Sequence, residues 1–164
     1  MRILGIDPGL ATLGYGVIDT AGSRVTLIKA GAVITTPDMI TPDRLISIRQ
    51  QIQQILNFYR PDQIAFEELF FAKNITTGMN VSAARGVTVC TCAEYTKELY
   101  EYTPMQIKQA VVGYGGAEKH QVQMMVRMLL NIPEIPRPDD AADAVACAIC
   151  HAHAGAGRSQ FKIK

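Results

Sequence analysis

The sequence predicts an α/β fold in which a strand-rich first half is followed by a mainly helical second half. Three observations support this prediction. Short apolar runs separated by turn residues open the chain, an amphipathic helical pattern leads from them into another apolar run, and the last third carries helical spacing. Short connections favour antiparallel strands at the start, whereas a helix between two strands favours parallel pairing.

The first predicted strand covers residues 2–7 and ends on an acid. Ile3, Gly5 and Asp7 fall on one face by the period of two, and Pro8-Gly9 ends the strand. Open α/β sheets commonly bind ligands at the carboxyl ends of their strands. An ionised carboxylate buried at such a position is costly unless it is paired or bound to a metal. Asp7 is therefore the first candidate site residue.

Two further strands complete the opening unit. The second covers residues 13–19 and contains Gly14 and Gly16, which suggests the close approach of another backbone. Ala21-Gly22 forms a turn, and the third strand covers residues 25–36, which are rich in Val, Ile and Thr. We expect a three-stranded antiparallel meander.

An amphipathic helix comes next. The hydroxyl of Thr41 is predicted to cap it, with Pro42 at the first helical position and Asp43 in the first turn. Apolar residues then keep helical spacing as far as Tyr59, and Arg60-Pro61 ends the helix.

The strand after this helix contains a second acidic anomaly. It is predicted over residues 63–71 and holds Glu67-Glu68 within an otherwise apolar run. A crossover helix would return this strand parallel to the first one, so that the two strand ends lie together. One of the two glutamates must then point to the Asp7 face, but the period of two does not decide which until the register is known.

The chain beyond Lys73-Asn74, which opens a polar loop, alternates helical patterns with one short strand. The predicted elements are residues 80–96 (a helix of small residues), 99–102 (a strand), 104–112 and 118–131 (helices). In the helix over 118–131, the residues predicted to point inward are Val122, Met125, Val126 and Leu129. Lys119, Gln123 and Arg127 are predicted to share a different face. Lys119 follows a glycine-rich loop at a helix start, where anions bind well.

The final predicted helix opens with Asp139-Asp140-Ala141-Ala142-Asp143, after a proline-containing linker over residues 132–138. Asp140 and Asp143 share one helical face because they are three positions apart. Acids in a first turn stabilise a helix through its dipole, so capping explains them as well as a site does. Asp143, however, lies on a face whose next turn should belong to the core. We therefore treat this pair as candidate site residues.

Length and composition restrict the class of protein. The 164 residues are expected to form a single domain over residues 1–164, with a basic C-terminal tail at about residues 155–164. With no apolar run of membrane-spanning length and no signal-peptide pattern at the start, we expect a cytoplasmic protein. The net charge of +1 does not by itself indicate a nucleic-acid-binding protein, so any binding of nucleic acid would depend on local clusters of basic residues.

The four cysteines permit two metal hypotheses. Cys147-Ala-Ile-Cys150-His151 has the spacing of a c-type haem attachment, and Cys90, Cys92 and His153 could add to a zinc site. Haem attachment requires export, for which the sequence carries no signal. Cysteine is a normal core residue in a helix of small apolar residues, and cytosolic disulfides are rare. We expect free thiols in or near the core.

The acids together predict a site. Four carboxylates are expected to converge: Asp7, one of Glu67 and Glu68, Asp140 and Asp143. They would repel one another strongly unless divalent cations neutralised them, and oxygen ligands favour Mg²⁺ or Mn²⁺. Two such ions about 4 Å apart would activate a water molecule and stabilise the leaving oxygen in an in-line displacement at a phosphodiester. This chemistry indicates a nuclease.

The same residues belong to motifs that resemble a known family. The motifs run in order from the first strand to about His153: Ile6-Asp7-Pro8-Gly9, Phe66-Glu67-Glu68-Leu69-Phe70, Ala84-Arg85-Gly86, Glu101-Tyr102-Thr103-Pro104, Val111-Val112-Gly113, Ala117-Glu118-Lys119, Gln121-Val122 and Asp140-Ala141-Ala142-Asp143-Ala144. The chain resembles the RuvC family of bacterial Holliday-junction resolvases. The resemblance covers all of the chain except the tail.

The resemblance implies an RNase H-like fold with a five-stranded mixed sheet and helices on both faces. It also implies a homodimer that nicks two opposed strands of a four-way DNA junction symmetrically with the help of Mg²⁺, for which Mn²⁺ could substitute. RuvA and RuvB, which migrate the branch point, are the implied protein partners.

The resemblance also assigns roles to individual residues. It favours Glu67 over Glu68, and Asp140 over Asp139, so that the implied catalytic and metal-binding acids are Asp7, Glu67, Asp140 and Asp143. Lys108 and Lys119 match functional basic positions of the family, which fits a role at the scissile phosphate. Phe70 matches an aromatic residue that the family inserts near the junction centre, and Phe71 could share that role by stacking on a base. The predicted DNA-binding residues are Phe70, Phe71, Lys73, Arg85, Lys108 and Lys119.

Three other functions deserve comparison. A YqgF-like nuclease acting on RNA has a similar opening motif, but that group usually carries a basic residue in the turn after it, where this chain has residues 10–13. A nucleotide-binding domain of the actin and sugar-kinase kind needs two such domains, and this chain has room for one. A non-catalytic DNA-binding module is disfavoured because four unpaired carboxylates would repel phosphate.

Overall fold

The computed structural model describes residues 1–69 and 75–164, and side chains in the second range from residue 78 onward. The described strands are β1 Arg2–Asp7, β2 Thr12–Ala21, β3 Arg24–Ile34, β4 Gln63–Glu67 and β5 Leu99–Tyr102. The helices are α1 Thr41–Tyr59, α2 Ile75–Tyr95, α3 Pro104–Val112, α4 Lys119–Leu130 and α5 Asp139–His153, followed by a 3₁₀ helix over Gly155–Phe161.

The five strands form one mixed sheet in the order β3-β2-β1-β4-β5. β1 to β3 pair antiparallel, as the meander prediction requires, and β4 pairs parallel with both β1 and β5. The crossover through α1 therefore returns the chain beside β1, which confirms the predicted α/β fold with a mixed sheet.

Helices cover both faces of the sheet, and the period of two decides which residues meet which helices. Leu4, Ile6 and Phe66 lie fully buried in the core cluster that also contains α1 residues such as Ile52. Strand residues that point to the opposite face of the sheet, including Ile3, Ala65 and Tyr102, lie in a second cluster with residues of α3, α4 and α5. Asp7 has the same parity as Ile3, so it faces the α5 side.

Close packing of α5 on the sheet depends on glycines. A methyl group on Gly5 would overlap the carbonyl oxygen of Ala144, one on Gly14 would overlap that of Asp140, and one on Gly16 would press on Val145. The close backbone approach predicted for the two glycines of β2 is thus confirmed, and the approaching element is α5.

Some element boundaries differ from the predictions. The N-cap of α1 is Ile40, without a side-chain hydrogen bond, so the predicted capping hydroxyl of Thr41 is wrong. That threonine is already the first helical residue, ahead of the proline. The strand β4 ends at Glu67, so the prediction that it continues through residues 68 and 69 is wrong, and residues 70 and 71 of the predicted strand lie outside the described residues.

Burial also corrects several expectations. In α4 the buried residues are Val122, Gln123, Val126 and Leu130. Leu129 is 39% exposed, so its inward prediction is wrong, and Gln123 lies on the buried side. The buried residues occupy the arc of the helix from Val122 through Val126 and Leu130 to Gln123, so Leu129, which lies on the other side of Val122, is at the edge of that arc. The four cysteines are free thiols, as expected, but Cys90 is exposed.

The C-terminal residues pack on the sheet. Lys162 forms an antiparallel bridge with Tyr100, and the Ile163 amide donates to the Leu99 carbonyl at 3.0 Å. The segment therefore covers the edge of β5. None of the helices in the described parts of the chain is both long enough and apolar enough to cross a membrane.

Candidate active site

Two of the predicted acids stand at the carboxyl ends of adjacent parallel strands. Ile6 pairs with Phe66 in the β1–β4 register, so Asp7 and Glu67 are the next residues on each strand and share a face. Glu68 is exposed and has the opposite parity. The register thus places Glu67, and not Glu68, on the side of Asp7.

The other two acids come from the first turns of α5. Gly14 pairs with Asp7 in the β1–β2 register, and the Asp140 backbone lies directly on that glycine. Asp143 is one turn further along the helix and is half-buried. The described structure therefore brings Asp7, Glu67, Asp140 and Asp143 to one end of the sheet.

The carboxylates raise one another's pKa values. Burial, followed by the charges of Glu67, Asp143 and Asp140, raises the pKa of Asp7 to about 8. Burial, followed by the charge of Asp143, raises the pKa of Glu67 to about 7. Burial also raises the pKa of Asp143, against the effect of its hydrogen bond with Lys119. Such shifts mark a cluster of negative charge that lacks sufficient compensation.

Two lysines border this cluster. Lys119 Nζ donates to Asp143 Oδ2 at 2.8 Å. Burial acts to lower the pKa of Lys119, but the bond and charge of Asp143 and the charges of Asp139 and Asp140 outweigh it and raise this pKa. Lys108 lies close enough for its charge to act against the rise in the pKa of Glu67. The amino groups supply the positive charge next to the acids.

A cleft of about 230 Å³ joins these groups. Its wall includes Glu67 and Asp143 together with Lys108 and Lys119, and apolar residues of α3 to α5 complete it. Asp139 lies at the outer rim, where Arg137 Nη1 donates to it at 2.8 Å and Lys119 Nζ is 3.7 Å away. Asp140 rather than Asp139 therefore acts on the pKa of Asp7.

The donor chemistry fits a hard divalent cation. All four acids offer oxygen ligands, and burial followed by mutual repulsion raises the pKa values of Asp7 and Glu67, a cost of the charged forms that a bound cation would relieve. Within residues 1–69 and 75–164, no three aspartate, glutamate, histidine or cysteine side chains already stand in an arrangement that could hold a metal ion. Asp143 is instead turned to Lys119, so a cation would have to compete with that lysine.

The predicted DNA contacts divide into two groups. Phe70, Phe71 and Lys73 lie outside the described residues. Arg85 lies in α2, where its Nη2 donates to Glu101 Oε2 at 2.6 Å. This ion pair joins α2 to β5, so Arg85 is not among the groups that line the cleft.

One buried polar residue at the end of α5 remote from the acids is not among the predicted site residues. His151 was considered above only as part of a haem-like spacing, but it is fully buried and bonded to Tyr102 and Gln63. Its partners are distant in sequence, so no spacing pattern reveals them. The available signal is an imidazole that follows a run of small apolar residues in one helix, two positions before a second histidine, His153.

Chemically, the arrangement is suited to phosphodiester hydrolysis. Clustered carboxylates can hold cations and orient water, while neighbouring ammonium groups can bind a phosphate and stabilise developing negative charge. The partly open cleft allows a polymeric substrate to approach.

Comparisons with known proteins agree with this chemistry. The model of the family described as "Crossover junction endodeoxyribonuclease RuvC" matches residues 3–151. A crossover junction endodeoxyribonuclease RuvC of Alkaliphilus metalliredigens is 54% identical over 164 residues, covering 100% of both chains.

Two solved structures of the same family also match the chain. The RuvC structure of Thermus thermophilus matches with a TM-score of 0.88 and 35% identity, covering 98% of each chain. The structure of T. thermophilus RuvC in complex with Holliday junction substrate matches with a TM-score of 0.86 and 34% identity, covering 94% of each chain.

Proposed function

Because the chain belongs to the RuvC family of crossover junction endodeoxyribonucleases, we propose that it resolves four-way DNA junctions by hydrolysing phosphodiester bonds at the carboxylate cluster. This membership favours DNA over the RNA substrates of the YqgF-like alternative. The expected outcome is a pair of symmetric nicks in opposed strands, as part of homologous recombination and DNA repair.

One observation carries the assignment of the chemistry to this site. Asp7, Glu67, Asp140 and Asp143 meet beside Lys108 and Lys119 at the end of the sheet where β1 and β4 both terminate. We assign the four acids as the catalytic, metal-binding set.

The acids would hold divalent cations, with Mg²⁺ as the proposed ion and Mn²⁺ as a possible substitute. When bound, such cations supply an activated water and stabilise the leaving oxygen of the cleaved phosphodiester. Strand pairing fixes the backbones of Asp7 and Glu67, whereas Asp143 would have to exchange its bond with Lys119 for a cation. Cation binding and release of Lys119 are therefore coupled in this proposal.

Released from Asp143, Lys119 is free to contact the scissile phosphate. Its ammonium group would stabilise the negative charge that develops there, and Lys108 would bind the same or an adjacent phosphate. Both lysines line the cleft with Glu67 and Asp143, which supports these roles.

We further propose that the active form is a homodimer. Nicking two opposed strands requires two sites, and each chain folds one cluster of this kind. RuvA and RuvB are the proposed partners in branch migration. Phe70, Phe71, Lys73 and Arg85 remain predicted DNA contacts, and for Arg85 such a contact would require its bond with Glu101 to open.

The first test is cleavage of a synthetic four-way junction beside a linear duplex and an RNA hairpin of matched sequence. Each reaction is run with Mg²⁺, with Mn²⁺ and with EDTA. We expect paired, symmetric nicks in the junction alone, and only when metal is present. Cutting of the RNA would support the YqgF-like alternative, and junction binding without cutting in any metal would refute the assignment of the acids.

A further inference from the structure

The far end of α5 contains a buried polar network with His151 at its centre. The Nδ1 atom of His151 lies 2.7 Å from the hydroxyl of Tyr102, and its Nε2 atom lies 2.9 Å from Oε1 of Gln63. Nη1 of Arg158 donates to the same Gln63 oxygen at 2.6 Å. We call these four residues, Gln63, Tyr102, His151 and Arg158, the His151 network.

The direction of each hydrogen bond follows from Arg158. A guanidinium only donates, so the Gln63 atom that it contacts must be the acceptor oxygen. That oxygen can then only accept from His151, which places the imidazole proton on Nε2. The other ring nitrogen, Nδ1, is left as an acceptor for the hydroxyl of Tyr102. Arg158 thus selects one tautomer of a neutral histidine.

Burial keeps that histidine neutral. The ring is fully buried, and burial together with the charge of Arg158 lowers the pKa of His151 to about 4. Both ring nitrogens are satisfied, and the rings of Tyr100 and Tyr102 pack against the imidazole with centroids 4.4 and 5.7 Å away. The side chain is therefore held in a single orientation.

Helix α5 has a particular need for such a fixed point. The α5 atoms nearest to the glycines of β1 and β2 are mainly backbone atoms, and they belong to Asp140, Ala144, Val145 and Ala148. Small side chains allow close contact, but they interdigitate little and oppose sliding along the helix axis only weakly. Among the described hydrogen bonds, those of His151 join α5 to β4 and β5 directly.

The network also touches the strands that position Glu67. Gln63 begins β4, which ends at Glu67, and Tyr102 pairs with Glu67 in the β4–β5 register. On the helix, His151 lies eight residues after Asp143, about 12 Å along the axis. The same network therefore connects the strand that carries one acid to the helix that carries two others.

We propose that the His151 network is a positioning device that sets where α5 lies along the sheet, and so the placement of Asp140 and Asp143 relative to Asp7 and Glu67. Metal-dependent chemistry requires that placement to be held within roughly 0.5 Å. The inference rests on the proposed catalytic role of these acids. It also gives a role to Arg158, which lies beyond residue 151, where the family match ends.

A matched pair of variants tests the proposal. Tyr102→Phe removes the hydroxyl bonded to His151, whereas Tyr100→Phe removes a hydroxyl that donates to Glu98 at 2.5 Å and contacts Gln63 at 3.5 Å. Both tyrosines are buried in β5 and pack on the same imidazole. The measurements are single-turnover cleavage of a four-way junction across a Mg²⁺ series, junction affinity in EDTA, and the thermal unfolding midpoint.

We expect Tyr102→Phe to slow cleavage by roughly 10- to 100-fold and to raise the Mg²⁺ concentration needed for half-maximal rate, with junction affinity unchanged. Tyr100→Phe should cleave like the unmodified protein. Equal cleavage rates and Mg²⁺ requirements in the two variants would overturn the proposal, as would a loss of cleavage explained by an equal loss of affinity. Failure of the unmodified protein to cut any junction would instead contradict the proposed function.

Arg158 supplies a second, independent test in case Tyr102→Phe folds poorly. Arg158→Met removes the donor to Gln63, and Arg158→Lys keeps a positively charged N–H donor at this position. Cleavage should fall in the methionine variant and recover at least partly in the lysine variant, with junction affinity equal in both. Identical cleavage by the methionine variant and the unmodified protein would overturn the proposal, because Arg158 selects the tautomer on which the network depends.

Discussion

The two ends of α5 contrast sharply in their electrostatics. At its beginning, Asp143 lies close to Asp7 and Glu67, the pKa values of all three carboxyl groups are raised by burial and by repulsion between acids, and Lys119 is bonded to Asp143. At its last turn, His151 is neutral, fully buried and bonded at both ring nitrogens. One helix thus has carboxylates whose negative charge is only partly neutralised at one end, and an imidazole with both nitrogens hydrogen-bonded at the other.

The contrast indicates that one end of α5 serves catalysis and the other serves stability. Repulsion between carboxylates disfavours the folded state at one end, which is the usual consequence of gathering like charges for catalysis. At the other end, the hydrogen bonds of His151 hold the helix in place against that repulsion. Variants that act on one end alone should therefore separate activity from stability.

Asp7→Asn should have the largest effect, because it removes a predicted metal ligand while keeping the shape of the side chain. We expect junction cleavage to fall by roughly a thousandfold or more. In EDTA at pH 8 the variant should be more stable than the unmodified protein, since one source of repulsion is lost. The measurements are cleavage rate, junction affinity in EDTA and thermal unfolding.

Asp38→Asn, on an exposed turn, is the control for Asp7→Asn. It should leave cleavage unchanged and lower stability slightly, because hydrogen bonds from Thr36 and from its own backbone hold the pKa of Asp38 below its usual value. If Asp7→Asn lost junction binding together with cleavage, Asp7 would have a structural role and the contrast between the two ends would not hold.

Gly14→Ala should disturb the charged end through the backbone. The new methyl group would overlap the Asp140 carbonyl oxygen and lift the first turn of α5 from the sheet. We expect a loss of about 3 kcal/mol in the free energy of unfolding, measured by urea denaturation, and reduced cleavage. Gly86→Ala is the comparison for stability, because a methyl group there meets nothing within 4 Å. Equal stability of the two variants would mean that α5 can shift at no cost.

Lys119→Ala should slow cleavage by roughly a hundredfold, because the cleft loses the ammonium group beside the acids. Junction affinity should fall much less. The variant should also bind Mg²⁺ more tightly in a calorimetric titration, since Asp143 no longer has a lysine to exchange. Lys97→Ala, a lysine bonded to the Ala93 carbonyl, serves as control. Weaker Mg²⁺ binding by Lys119→Ala would contradict the proposed exchange.

The two ends should also respond oppositely to pH. The folded pKa values of Asp7 and Glu67, about 8 and about 7, exceed their unfolded values of roughly 4. The folded state therefore binds more protons, and this contribution to stability is lost as pH rises through that window. The folded pKa of His151, about 4, lies below its usual 6.5, so its contribution is lost as pH falls from about 6.5 to 4.

Thermal unfolding in EDTA from pH 4 to 9 measures both effects. The midpoint of the unmodified protein should fall by several degrees between about pH 6.5 and 8.5, and Asp7→Asn should reduce that decline. A midpoint that rises over this range in EDTA would mean that the carboxylates are not destabilising.

The sequence alone predicts much of the acidic end. Asp7 is visible as a carboxylate at the end of an apolar strand, and the pair Asp140 and Asp143 as acids on one helical face. The choice between Glu67 and Glu68 required the register, because a shift of one residue reverses the face of every side chain in a strand. The β1–β4 pairing supplies that register.

The other end of α5 was beyond sequence reasoning. Gln63, Tyr102, His151 and Arg158 come from four separate elements, and none shares a periodic pattern with another. Hydrogen bonds between distant segments leave no spacing signal. The burial of Gln123 was missed because a prediction from helical periodicity assigns polar residues to the exposed face of a helix.

The docked C-terminal residues have a consequence for solubility. β5 lies at one edge of the sheet, and an uncovered edge strand offers unpaired amides and carbonyls to other chains. The bridge between Tyr100 and Lys162 and the hydrogen bond from Ile163 to Leu99 occupy part of that edge. A chain truncated after residue 154 should therefore aggregate by edge-to-edge pairing more readily than the 164-residue chain, whatever the effect of the truncation on catalysis.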